Sequence, residues 1–344
     1  MAVLAATVVA GCASPANEST AEPSPGATQT PRAAIIVSGV ASDSPFTTPE
    51  QACRKGFPAG NSDSFLRQQL LDAGIAVYTV PERIGPGQVE EQSGPAGPYE
   101  DCPAPVDETL TLNTIATVPE GGQALQRFVS FLNTEYGVTE LDVVAHSLGG
   151  PLSRAGIAAI QQSGIPVAVK SLTTIGGPWV TPMLTEPTNA KRPMSACDGL
   201  KPCRTFLGAL LTQPNSQPLL EFMGPSNFPS WSEEQAGVLD DIPVTLIGGT
   251  YFKKAGGAPD KWPNDGAIQR EASLAIPVSD EVIPWRRCHE YDDTHSLAVS
   301  ELVGEPRDTA LTWDPRVAKD VEAAIRSADT ALQTPSRQGC PAPR

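Results

Sequence analysis

From Leu141 to Gly150 the chain reads Leu-Asp-Val-Val-Ala-His-Ser-Leu-Gly-Gly, an apolar run that passes within a few residues into a helix-forming segment. Leu141, Val143 and Val144 carry the pattern of a buried strand, and Leu152, Ala155, Gly156, Ala159 and Ile160 recur at helical spacing. Ser147 stands at the junction. A strand that turns this abruptly into a helix needs small residues around the apex, and Ala145, Gly149 and Gly150 supply them. The result is the sequence form of a nucleophile elbow, which strains the serine backbone and lifts its hydroxyl clear of the sheet beside a helix N-terminus. The usual pattern is G-x-S-x-G, and Ala145 replaces its first glycine. The bland reading is an ordinary strand-to-helix turn with Ser147 as N-cap.

The same alternation runs through the chain. Strands are expected over 33–38, 75–80, 167–175 and 242–247, with helices over 63–73 and 121–136 and a long Pro/Gly-rich connection over 81–119. Strands alternating with helices imply an α/β fold, a mostly parallel sheet with helices on both faces. Sites in such sheets form at the carboxyl ends of strands, where Gly39, Ser147, Gly176 and Gly248 fall. Residues 179–241 form an insertion too long for an ordinary connection and read as a cap or lid. Its apolar cluster, from Phe206 to Met223, suits either an acyl pocket or the cap's own core.

The termini bear on the compartment. Met1 to Ala10 is short and apolar, and Val9-Ala10-Gly11-Cys12 resembles a bacterial lipobox, in which the cysteine is lipidated and becomes the mature N-terminus, so residues 1–12 read as a signal peptide. A signal peptide opens with Lys or Arg, whereas the first positive charge here is Arg32, so the natural start is expected upstream. Residues 13–32 have the Ser/Thr/Pro/Ala/Glu composition of a tether that cannot bury a core. Setting Cys12 aside leaves Cys53, Cys102, Cys197, Cys203, Cys288 and Cys340, an even set suited to an oxidising compartment. The pairings expected are Cys53 with Cys102, Cys197 with Cys203, and Cys288 with Cys340. No C-x-x-C occurs, so zinc is not indicated. A net charge of -15 argues against nucleic acid and against electrostatic attachment to anionic lipid. Any membrane association is expected through a lipid on Cys12, because no apolar run spans a bilayer.

A serine hydroxyl needs a base, and the base needs an orienting carboxylate. After an elbow serine the acid comes next in the chain and the histidine last. His146 adjoins the serine and is turned away from it, which leaves His289 and His295 of the three histidines. His295, in a loop running into Leu297, Ala298 and Leu302, is preferred to His289, which sits beside Cys288. The acid is expected in Asn264-Asp265-Gly266, a tight-turn signature following the 242–247 strand, with Asp265 preferred and Asp260 second. Asp292 and Asp293 lie too near His295 in sequence, although one of them suits the cap of the following helix. Two backbone N–H groups must meet the oxyanion. Leu148 supplies one after the nucleophile, and Val40 supplies the other from the loop Ser38-Gly39-Val40.

In these segments the chain resembles bacterial secreted lipases and esterases of the α/β-hydrolase superfamily whose elbow reads A-H-S-x-G-G. The likeness covers Ala33–Val40, Val143–Gly156, Leu172–Pro178 and Asn264–Ile268. In that family the first strand usually ends in His-Gly, and here the pair is Ser38-Gly39, so the side-chain hydrogen bonding behind the oxyanion loop must differ. The resemblance implies an α/β-hydrolase fold over 33–330 with a cap insertion over about 179–241 and a C-terminal tail over 331–344. It implies carboxylic-ester hydrolysis by Ser147, Asp265 and His295 on an ester or lipid substrate. The family's calcium site has no residue-by-residue match here, so neither metal nor cofactor is expected. An acyltransferase on the same fold, or a surface-binding lipoprotein without catalysis, stays open at this point. The location implied is secreted or cell-surface, lipid-anchored.

Overall fold

Seven strands form a single sheet in which every pairing is parallel. The computed structural model describes residues 31–51, 60–89, 93–94, 97–98, 104–183, 197–258, 260–332 and 336–342. The strands are β1 (Arg32–Val37), β2 (Val77–Thr79), β3 (Glu140–His146), β4 (Ala168–Ile175), β5 (Val244–Gly249), β6 (Trp285–Tyr291) and β7 (Ser336–Gln338). Their order across the sheet is β7-β6-β5-β4-β3-β1-β2. Central parallel strands are covered on both faces, which is why β1 and β5 are apolar almost throughout.

Alternate residues serve opposite faces. Ile35, Val37, Leu141, Val143 and Ala145 pack against α2 (Val118–Tyr136) and α3 (Gly149–Ser163) through Leu125, Phe128, Leu152 and Ile157. Ala34, Ile36 and Val144 pack instead against Leu66 and Leu70 of α1 (Gly60–Asp72) and Val317, Val321 and Ile325 of α9 (Pro315–Ala331). The polar residue inside β3, Asp142, accepts hydrogen bonds from Arg32 Nε at 2.8 Å and from the Ser171 hydroxyl at 2.6 Å. A buried carboxylate is tolerated there because its oxygens are bonded.

Chain direction reverses beside β1. Through α1 the chain reaches β2 on one side of β1, and through α2 it returns to β3 on the other. Ligand crevices in open parallel sheets form at such a switch point, outside the carboxyl ends of the strands. Residues 38–42 and Ser147 both lie there.

Helix α2 begins earlier than expected, at Val118, because the Glu120 carboxylate accepts from the Thr117 N–H at 3.0 Å and from its hydroxyl at 2.7 Å. Strand β6 has no apolar alternation to announce it. Its inward positions are Arg286 and Cys288, and Arg286 is accommodated by donating to the carbonyls of Ile283, Ala275, Val278 and Ser279. The C-terminal tail is not all tail, since Ser336–Gln338 adds β7 to the sheet edge. Arg32 likewise belongs to β1 rather than to a tether ending at 32.

The insertion contains α4 (Lys201–Thr212), α5 (Gln217–Phe222) and α6 (Phe228–Glu234), and the short α7 (Arg270–Ser273) follows β5. Its apolar cluster forms no separate core. Leu219, Met223 and Phe228 join the main core, Leu207 packs with Ala267 and Ile268, and Leu210 and Leu220 meet Ile115 and Val40. Arg154 of α3 fastens the insertion to the elbow helix: its guanidinium lies 4.4 Å from the Trp179 ring centre and 4.8 Å from that of Trp231, and it donates to the Ser232 hydroxyl at 3.0 Å. Burial pushes the pKa of Arg154 down to about 9.

Cys197–Cys203 and Cys288–Cys340 are disulfide-bonded. The expected Cys53–Cys102 pair, Cys12 and residues 13–30 lie outside the described residues. Among the described residues no helix is long and apolar enough to cross a membrane. Cys288–Cys340 joins β6 to the end of β7 across a sequence separation of 52. Closing a loop of that length restricts the unfolded chain. Cys340→Ala is expected to lower stability to urea by about 2–4 kcal/mol, with the activity of the remaining folded protein unchanged. Equal urea midpoints and slopes for the variant and the wild type would refute this.

Candidate active site

The elbow follows from close packing of β1 against β3. Ser147 has φ 54°, a left-handed conformation that costs a non-glycine residue energy and is held here by the turn. Its N–H donates to Ile175 O at 2.9 Å, and its carbonyl accepts from the Gly150 N–H at 3.0 Å. At Gly149 a β-carbon would stand 2.3 Å from Val37 O, so only glycine lets α3 start this close to β1.

Two separate segments converge on the elbow. The Ser147 hydroxyl lies 2.8 Å from His295 Nε2, and His295 Nδ1 lies 2.8 Å from Asp265 Oδ2. Since Asp265 Oδ2 accepts, Nδ1 carries the proton, and Nε2 presents a lone pair to the serine. The other carboxylate oxygen of Asp265 accepts from the N–H groups of Ala267 at 2.9 Å and Ile268 at 2.7 Å. The turn itself is set by Asn264, whose side-chain oxygen accepts from the Gly266 N–H at 3.0 Å, with Gly266 at φ 108°. Backbone joins the two loops as well, through the His295 N–H donating to Asp265 O at 2.7 Å. Asp265 is fully buried, and Ser147 and His295 are nearly so, at 6% and 5% exposed.

The competing candidates lie elsewhere. Asp260 is exposed. His289 belongs to β6, in the same row of the sheet as His146 but three strands away, at about 4.8 Å per strand. It is 2.7 Å from Asp320 of α9, which also accepts from the Tyr291 hydroxyl. Neither Asp292 nor Asp293 caps α8 (Leu297–Val303), whose N-cap is Ser296. Asp292 pairs with Lys253, and buried Asp293 lies against Arg316.

Val40 and Leu148 flank the serine. Gly39 approaches Ser147 so closely that a β-carbon on it would lie 2.8 Å from the Ser147 β-carbon and 3.2 Å from the hydroxyl oxygen. Val40 follows directly, and Leu148 caps α3. Among the described residues neither the Val40 nor the Leu148 N–H donates a hydrogen bond. Leu210 and Leu220 of the insertion, with Ile115, form an apolar wall against Val40.

Behind this loop lie His146 and two buried carboxyls, Asp63 and Glu82, that the sequence did not single out. His146 Nε2 is 3.0 Å from His295 O, and its Nδ1 is 3.5 Å from Asp63 of α1. Burial holds the His146 pKa down to about 3, so the ring is neutral, Nε2 donates to that carbonyl and so supports the His295 loop. Burial pushes Asp63 up to about 7 and Glu82 up to about 8. Both carboxyls are fully buried. No local pattern marks them, because their partners lie far away in sequence. Among the described residues no group of three metal-ligating side chains comes together.

No protein-family model matches the chain, and no curated protein matches it by sequence. Many solved structures are similar to it. A Bacillus licheniformis lipase in its propeptide form is similar with a TM-score of 0.51 at 11% identity, over 94% of this chain and 54% of that one, so this chain spans about half its length. The mature form of that lipase gives a TM-score of 0.46 at 13% identity, over 82% and 92% of the two chains. A structure described as a bacterial heroin esterase gives 0.46 at 16% identity, over 89% and 77%. Likeness at such identities is one of fold.

Proposed function

We propose that this chain, which has the α/β-hydrolase fold, is an extracytoplasmic serine hydrolase of carboxylic esters. The observation that carries the reading is the hydrogen-bonded series Ser147, His295, Asp265, in which each residue comes from a different loop at the sheet's carboxyl edge. Ser147 Oγ attacks the ester carbonyl while His295 Nε2 takes its proton, and the resulting imidazolium is stabilised by Asp265. Collapse of the tetrahedral intermediate releases the alcohol, protonated by His295. Water, deprotonated by the same nitrogen, then hydrolyses the acyl-enzyme. The oxyanion is met by the N–H groups of Val40 and Leu148, each worth about 3–4 kcal/mol in comparable sites. An apolar acyl group suits the wall of Leu210, Leu220 and Ile115.

The disulfides fit an extracytoplasmic setting. Attachment through a lipid on Cys12 belongs to the same proposal. Loss of radiolabelled palmitate incorporation in Cys12→Ala cells is its expected sign, and unchanged labelling would count against it.

Hydrolysis of p-nitrophenyl esters of rising acyl length tests the activity directly. Turnover that depends on Ser147 supports the reading, and a folded protein that hydrolyses no ester would sink it. The loop after β1 gives a sharper expectation. Gly39→Ala brings a β-carbon into Ser147 and displaces the Val40 N–H. A shift of this kind is expected to lower kcat by about 100-fold, with the fold retained. Wild-type kcat in that variant would remove Val40 from the oxyanion site.

A further inference from the structure

The loop that follows β1 is bracketed by one residue. Glu82 exchanges two backbone hydrogen bonds with Ser44, each 2.9 Å. Its side chain reaches back along the same loop, where Oε1 accepts from the Ser38 N–H at 2.7 Å and Oε2 lies 2.9 Å from the Ser42 hydroxyl. That hydroxyl also lies 2.7 Å from Gly39 O. Between them residues 39–42 make a turn, with the Ser42 N–H 3.4 Å from Gly39 O and Ala41 at φ 56°.

Gly39 O and the Val40 N–H belong to one peptide plane, and in a trans peptide they point in opposite directions. Whatever holds the carbonyl therefore aims the N–H. The holder is the Ser42 hydroxyl, and its proton count decides the state of Glu82. A hydroxyl has one proton to donate. An ionised carboxylate can only accept, so with Glu82 charged the single Ser42 proton would face two acceptors, Glu82 Oε2 and Gly39 O. With Glu82 neutral every contact is satisfied: Oε2–H donates to Ser42, Ser42 donates to Gly39 O, and Oε1 accepts from Ser38.

Resting on the hydrolase reading, we propose that Glu82 is a positioning residue for the oxyanion loop and works as the neutral acid. Its O–H donates a hydrogen bond to the Ser42 oxygen, so that Ser42 turns its own proton to the Gly39 carbonyl and points the Val40 N–H at the ester oxygen. The surroundings agree with a neutral acid. Burial, opposed by the hydrogen bonds with Ser38 and Ser42 and helped by the nearby Asp63, pushes the Glu82 pKa up to about 8. The ionisable side chains on its side are Asp63 of α1 and, beyond Asp63, His146 at the end of β3. Asp43 of its own loop is turned to the Ile84 N–H, and its neighbour Arg83 to Gln88 O. When pH rises past the Glu82 pKa, the charged carboxylate draws the Ser42 proton away from Gly39 O. It also sets a negative charge behind the forming oxyanion, so kcat falls on the alkaline side.

The test is kcat and KM for a short p-nitrophenyl ester from about pH 6 to about pH 10, for wild type, Glu82→Gln, Glu82→Ala and Ser42→Ala, with Ser147→Ala as the blank. Glu82→Ala and Ser42→Ala are expected to lower kcat by about 10- to 100-fold with KM changed by less than about 2-fold, short of the loss for deleting a donor outright. Glu82→Gln donates to Ser42 through its amide and accepts from Ser38 through its oxygen. It is expected to recover most of kcat near neutrality and to lack the wild-type alkaline decline. If Glu82→Ala fails to fold, Ser42→Ala, a single-hydroxyl change at a part-exposed residue, answers the same question. A Glu82→Gln variant as slow as Glu82→Ala, or a Ser42→Ala variant with wild-type kcat, or an alkaline decline shared by wild type and Glu82→Gln, would overturn the proposal. Any of these alongside Ser147-dependent turnover in the wild type leaves the hydrolase reading standing. A folded wild type with no such turnover sinks that reading and the role of Glu82 together.

Discussion

Ser147→Ala and His295→Ala are each expected to lower kcat by roughly four to six orders of magnitude, with KM little changed and the fold intact. Both side chains act only through the reacting atoms, and each removal leaves the other without a partner: His295 Nε2 loses its 2.8 Å contact in the first, and the serine loses its proton acceptor in the second. Because the two residues act as a unit, Ser147→Ala combined with His295→Ala is expected to be no slower than either alone. His289→Ala is the matched control. It breaks a contact with Asp320 on the flank of the sheet and is expected to turn over esters at the wild-type rate. Comparable losses in His289→Ala and His295→Ala would contradict the assignment of the base.

The second large effect is expected at Asp265. Asparagine fits the same space, and its side-chain oxygen can still accept from the Ala267 and Ile268 N–H groups. It then turns an NH2 toward His295 Nδ1. Nδ1 becomes the acceptor, the ring proton moves to Nε2, and Nε2 can no longer take the proton of Ser147. Asp265→Asn is therefore expected to lose about 10⁴-fold in kcat, the size seen where this tautomer is imposed on a serine triad. Asp265→Ala loses the same orientation and also leaves two buried N–H groups without acceptors, so it is expected to be less stable than the asparagine variant by about 1–3 kcal/mol. Thermal melts beside the kinetics separate the two effects. Equal stability in both variants would show that the turn does not depend on that carboxylate.

The grouping of Ser147, Asp265 and His295 was legible in the sequence because each lies in a segment that announces its own backbone. Small residues bracket Ser147, Asn264 and Gly266 bracket Asp265, and His295 precedes a short helical run. Choosing His295 over His289 required only a loop rather than a neighbouring cysteine. The alternation that implied a parallel sheet was equally local, since β1 and β5 are mostly apolar and buried and β3 and β4 bury Leu141, Val143 and Val144 and Leu172 and Ile175. What escaped depended on tertiary surroundings. Strand β6 buries Arg286, whose charge reads as surface until the carbonyls around it are known. Strand β7 is a polar edge of three residues. Glu82 follows Pro81 in a connection with no periodicity, and its importance lies in contacts with Ser38 and Ser42, about 40 residues earlier. The start of α2 was within reach, because Thr117 and Glu120 have capping-box spacing.

The central claim is that Ser147 is a nucleophile activated by His295. Reaction with a fluorophosphonate, followed by peptide mass spectrometry on wild type and His295→Ala, measures this without any assumption about the natural ester. The account predicts one phosphonyl group per molecule, carried by the peptide containing Ser147, and a labelling rate that collapses in His295→Ala. A folded protein that takes up no label, or takes it up on another residue at a rate indifferent to His295, would contradict it.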